Sequence, residues 1–116
     1  MQVSARMTEF ATSLGPKRGY LVEPQDGRAH PGIVVIQEWW GLDDHIQEVT
    51  RRLGAEGYIA LAPDLYDGQV ADEPQRAMAL MSALAVDDGA AKLLGAVDAL
   101  LAHERVQPKR VGVVGF

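Results

Sequence analysis

No cysteine occurs among the 116 residues. Disulfides and thiolate metal sites are thereby excluded within them. Histidine is scarce: His30, His45 and His103 are scattered and lack the spacing of metal ligands, so no metal or other cofactor is expected. Basic clusters are missing too, and 11 Lys and Arg stand against 16 Asp and Glu, a net charge of −5. That argues against nucleic acid as a partner, because such binding needs cations to neutralise phosphates. Nothing approaches the ~18–20 consecutive apolar residues that span a bilayer, and the N-terminus has no apolar core of signal-peptide length. No membrane partner is expected, and the location expected is cytoplasmic.

What is present is ordinary for a globular protein: 47% hydrophobic and 23% charged residues, without low-complexity stretches. A chain of this size buries roughly two thirds of its unfolded surface when it folds.

Residues 1–7 read as a loose lead-in. Phe10 and Thr12 alternate weakly with their neighbours, Gly15-Pro16 makes a turn, and Gly19-Tyr20-Leu21-Val22-Glu23 follows. These predict an antiparallel hairpin whose register the longer turn leaves open. Pro24, Asp26, Gly27 and Pro31 mark a loop over 24–31. Ile33-Val34-Val35-Ile36 is a continuous β-branched run, the pattern of a strand covered on both faces. Asp43-Asp44 can cap a helix in which Ile46, Val49 and Leu53 share a face, and Gly57 stands in the usual place to end it. Tyr58–Ala62 reads as the next strand, stopped by Pro63-Asp64. After a polar stretch at 67–73, Ala77, Met78, Met81 and Leu84 form a short helical stripe, read as core packing. A second helix starts at Asp87-Asp88 with Leu93, Leu94, Val97, Leu100 and Leu101 on its apolar face. Gln107-Pro108 breaks it, and Val111-Gly112-Val113-Val114-Gly115 is a third strand of the buried type.

This alternation predicts an α/β fold: a doubly wound, mostly parallel sheet preceded by an antiparallel hairpin. Residues 1–17 hold the lead-in and first hairpin strand, and 18–116 the rest of one domain. A buried-type strand ending at Phe116 would lie as an exposed apolar edge, which natural sheets avoid. The expectation is therefore a partial domain whose partner is the remainder of the same fold.

Three segments carry a resemblance. Val34-Val35-Ile36-Gln37-Glu38-Trp39-Trp40-Gly41 is an apolar strand followed by Gln-Glu-aromatic. Ala62-Pro63-Asp64-Leu65-Tyr66 follows the next strand, and Val111-Gly112-Val113-Val114-Gly115-Phe116 is the last. In this order and spacing they resemble the dienelactone hydrolase family, from about residue 18 onward. The resemblance implies an α/β-hydrolase fold that stops before its nucleophile elbow, with Gly115 as the first glycine of that turn. It implies a cysteine nucleophile just after Phe116, and a small ester or lactone as substrate. The complete protein would be a monomer or small homo-oligomer, and the 116 residues alone would be inactive.

By the same resemblance Glu38 is the glutamate that contacts the thiol and helps generate the thiolate. Trp39 supplies a backbone N–H to the oxyanion hole, and Trp40 lines the acyl pocket. The family's founding enzyme holds its substrate carboxylate with an arginine and a tyrosine, at places that fall near Pro74 and Met78 here. Arg76 is the nearby cation that could take over that contact.

Blander readings stand beside these. Glu38 could be a polar residue where a strand meets solvent, and the tryptophans core aromatics. His45 reads as a surface residue, His103 as a complement to a helix dipole, and Asp64 as part of a structural turn. Two other functions compete. The glycines of the last strand could open a dinucleotide-binding fingerprint if Gly-x-x-Gly followed, or a non-catalytic half-domain could bind a partner through an open sheet edge.

Overall fold

Alternate residues of the central strands point to opposite faces, and here both faces are apolar. Val34, Ile59 and Leu61 lie with Phe10, Leu21, Ala96, Leu100 and Val106 on one side. Val35, Ala60 and Ala62 lie with Tyr20, Val22, Leu42 and Ile46 on the other. A strand covered twice has no polar face to alternate with, which is why these segments read as unbroken hydrophobic runs. The computed structural model, which describes all 116 residues, orders the elements as β1 (Val3–Thr12), β2 (Gly15–Pro24), β3 (His30–Ile36), α1 (Asp44–Ala55), β4 (Ile59–Pro63), α2 (Pro74–Ala83), α3 (Val86–Ala102) and β5 (Val106–Gly115).

The five strands form one mixed sheet in the order β1-β2-β4-β3-β5. β2 is antiparallel to both of its neighbours, while β3 is parallel to β4 and to β5. Four strands therefore point one way and β2 alone runs back. Helix α1 packs on one face and α3 on the other, so the sheet is doubly wound as the alternation predicts. No helix is long and apolar enough to cross a membrane.

Local chemistry sets the helix ends. The Asp43 carboxylate accepts from the Ile46 amide at 3.1 Å and caps α1. At the other end Gly57, with φ +104°, lets its own amide reach the Gly54 carbonyl and the Tyr58 amide reach Leu53, a Schellman ending. The hairpin register, open in the sequence, is Thr12 opposite Gly15 through to Val3 opposite Pro24.

Four expectations need correction. The lead-in is only two residues long, because β1 already pairs with β2 at Val3. β5 begins at Val106 rather than Val111, since His30 takes Val106 as its first partner. Met78 and Met81 are about half exposed, as α2 turns Ala77 and Leu80 inward instead. Leu94 is 64% exposed, because the buried stripe of α3 runs through Gly89, Lys92, Ala96 and Leu100.

At the amino end of the parallel strands, two carboxylates hold the chain together. Glu23 meets Arg6 at 2.5 Å and His103 at 2.7 Å. Asp26 meets His30 at 2.8 Å and Arg105 at 3.3 Å. Burial pushes the Glu23 carboxyl up, but hydrogen bonds and charge from His103 and Arg6 outweigh it and hold the group below its ordinary value. For Asp26 the Arg28 amide is the largest cause of a similar lowering, followed by His30. A carboxyl whose folded pKa is depressed stabilises the fold above its unfolded value, and loses that contribution as pH falls through the folded one. Melting temperature should therefore fall as pH drops below about 4. Glu23→Gln with Asp26→Asn should be less stable at neutral pH and show a shallower acid decline. An unchanged acid profile in that double variant would remove these pairs as its cause.

Candidate active site

In an open α/β sheet, ligands bind outside the carboxyl ends of the strands. The chain leaves β3 at Ile36 and runs through Gln37-Glu38-Trp39-Trp40-Gly41 before Asp43 caps α1. These five residues make a tight turn in which the Gly41 amide donates to the Glu38 carbonyl at 3.1 Å. Gly41 has φ +104°, and a Cβ there would stand 2.8 Å from the Gln69 carbonyl oxygen and 3.3 Å from the Tyr66 ring. The turn is thus pressed against the loop that follows β4.

That loop is well tied. The Asp64 carboxylate accepts from the amides of Tyr66 at 3.1 Å and Gly68 at 2.7 Å, which is the structural-turn role read from the sequence. Buried Gln37 accepts from the Leu65 amide at 3.0 Å, and the Ala71 amide donates to the Trp40 carbonyl at 2.8 Å. Burial also pushes the Tyr66 hydroxyl above its ordinary pKa.

Glu38 projects from this support with its side chain 35% exposed. Its carboxylate has one titratable neighbour, the exposed His45 in the first turn of α1, at 3.6 Å. His45 is therefore a surface residue, as read, but one that faces the candidate carboxylate. Trp39 and Trp40 stack edge to face, with centroids 5.3 Å apart, and pack on the cluster formed by Leu65, Tyr66, Ala71, Ala77 and Leu80. The Trp39 amide lies outside the helices and strands and donates to no backbone carbonyl. Arg76 is exposed on α2, and its guanidinium bonds the Gln69 side chain rather than Glu38. His103 and His30 sit at the opposite end of the sheet with Glu23 and Asp26.

One polar residue escaped the sequence reading. Lys92 is 4% exposed in the middle of α3. The signal was present: Lys92 lies three residues after Gly89 and four before Ala96, on the buried stripe itself.

The register places the turn in context. Ile36 pairs with Gly115, so β3 and β5 end side by side where the Glu38 turn leaves the sheet. The doubly wound, mostly parallel sheet with its antiparallel hairpin has the architecture of the α/β hydrolases. Residues 18–116 match the dienelactone hydrolase family, and the chain belongs to that family.

Protein usf of Aquifex pyrophilus is 39% identical over 117 residues, covering 96% of this chain and 50% of the relative. A protein of Aquifex aeolicus strain VF5, provisionally named as a carboxymethylenebutenolidase, is 35% identical over the same coverage. Among solved structures, a provisional dienelactone hydrolase from Klebsiella pneumoniae superposes with a TM-score of 0.86 at 27% identity, covering all of this chain and 50% of that one. The chain thus spans about half the length of the curated relatives it matches. Family membership lends no support to the dinucleotide-binding reading.

Proposed function

We propose that the complete protein hydrolyses small carboxylic esters or lactones through a cysteine nucleophile placed at the turn after β5. The observation that supports this reading is the pairing of Ile36 with Gly115, which ends β3, the strand leading to Glu38 and Trp39, level with the end of β5. The thiol attacks the acyl carbon, forming a thioester and releasing the alcohol, and water then frees the acid. A thiol with an ordinary pKa near ~8.5 is mostly protonated at neutral pH, so Glu38 serves as the base that takes its proton. As charge builds on the acyl oxygen, the Trp39 amide donates to it. A fixed donor of this kind lowers the barrier by about 3–4 kcal/mol. Trp40 bounds the acyl pocket. Arg76, turned toward Gln69, is the nearest candidate for a substrate carboxylate only after its side chain swings. With Pro74 and Met78 near the places where the founding enzyme has its arginine and tyrosine, dienelactone itself should be a poorer substrate than other small esters and lactones.

The test is a panel of small p-nitrophenyl esters and lactones with the complete protein. Hydrolysis is expected, with an acyl-enzyme visible by intact mass and activity abolished by thiol alkylation. The 116-residue chain alone should give no turnover. Activity that survives alkylation would overturn the thioester route.

A further inference from the structure

A lysine ammonium is among the least tolerated groups in a protein interior, and it is retained only where its donors are matched. Lys92 meets that condition on the loop after β4. Its Nζ donates to the Leu65 carbonyl at 2.9 Å and to the Asp67 carboxylate at 3.2 Å. The other side of the Leu65 residue is held as well, because its amide donates to the Gln37 side chain at 3.0 Å. Leu65 is thus clamped between α3 and the residue that precedes Glu38. The same loop supports the rest of the turn through Ala71 on the Trp40 carbonyl and Gln69 against Gly41.

We infer that Lys92 is a positioning residue, which fixes the Glu38 carboxylate and the Trp39 amide through the chain Lys92–Leu65–Gln37. The inference rests on the hydrolase reading for its consequence on rate, but its geometry does not. Nothing else bonds the Leu65 carbonyl, and Leu65 is buried. Asp67 is half exposed and keeps Lys17 at 3.4 Å, but without Lys92 the Leu65 carbonyl must reach water, and the turn carrying it pulls Gln37 out of register. Misplacement of reacting groups by about 1 Å costs up to roughly a hundredfold in rate.

The experiment compares Lys92→Met with Lys109→Met, a control at an exposed lysine that bonds the His103 carbonyl at the far end of the sheet. Both are made in the complete protein. Fluorotryptophan labelling gives fluorine resonances for Trp39 and Trp40, assigned through single Trp→Phe variants. Lys92→Met should shift both resonances and lower kcat about tenfold or more, with KM within about twofold. Lys109→Met should change neither. If Lys92→Met does not fold, Gln37→Met cuts the same chain at its other end without stranding a charge, and must reproduce both effects. Unmoved resonances and unchanged kcat in a folded Lys92→Met, or in Gln37→Met where that variant decides, overturn the inference. If the wild-type protein hydrolyses nothing on the panel, the proposed reaction fails, while the resonances still decide whether Lys92 holds the turn.

Discussion

Replacing Glu38 with alanine in the complete protein should lower turnover of the proposed ester or lactone substrate about a hundredfold, the lower range for loss of a positioned acid–base group. Folding should be barely touched. The carboxylate is only partly covered, and its nearest basic neighbour is the exposed His45 at 3.6 Å. Such pairs contribute about 0–1 kcal/mol, so the melting temperature should move by no more than about 2–4 °C in a chain twice this length. Glu38→Gln keeps the shape and loses the ability to accept a proton, and should be as slow as alanine. Glu38→Asp should recover part of the rate. The defect should also shrink as pH rises through about 8.5, where an ordinary thiol ionises unaided. A pH–rate profile for the three variants checks all of this. Equal turnover in wild type and Glu38→Gln at neutral pH would mean that Glu38 has another task.

Gly41→Ala is expected to be the most damaging small change to the turn. Its backbone sits at φ +104°, where a side chain is strained, and the added methyl would stand 2.8 Å from a backbone oxygen that cannot swing aside. Strain of this kind costs about 1–3 kcal/mol, and relieving the contact adds to it. Together the expected loss is about 2–4 kcal/mol, read as a fall in denaturation midpoint. Gly68→Ala supplies the comparison. That residue has φ +93° with nothing within 4 Å, so it carries the backbone strain without the contact. Gly41→Ala should be clearly less stable than Gly68→Ala and should lose most activity. Equal stabilities would show that the loop after β4 yields freely to the turn.

Sequence was most informative where one physical cause dominates. Ile33–Ile36 had to be a strand because a two-face-covered strand leaves an unbroken β-branched run. Val111–Gly115, read as the same type, is instead a largely exposed edge strand, with Val113 56% exposed. Asp43 and Gly57 bracket α1 because orphan amides and carbonyls need a cap and a left-handed residue. The places of Glu38, Trp39 and Trp40 followed from their motif at the end of β3. β1 was harder to see before Thr8. Its residues there are mostly exposed, and it exists through its ladder to β2 rather than through burial, a cause that leaves little hydrophobic pattern. Met78 and Met81 looked like core by composition, yet the small Ala77 sets which side of α2 faces inward. Lys92 was legible as a position but not as a role, because its partners lie on a loop 25–27 residues away in sequence.

The order of the strands also bears on how the molecule assembles. β1 and β2 zip from a turn that Thr12 stabilises with its own hydroxyl, and they need no distant partner. β3 completes its second ladder only when β5 has been made, after three helices and β4. Joining such remote segments has the larger entropic cost and is the slower event. The β3–β5 ladder is therefore expected to form after the hairpin, so a chain caught partway would hold the hairpin before the end of β3 is framed on both sides.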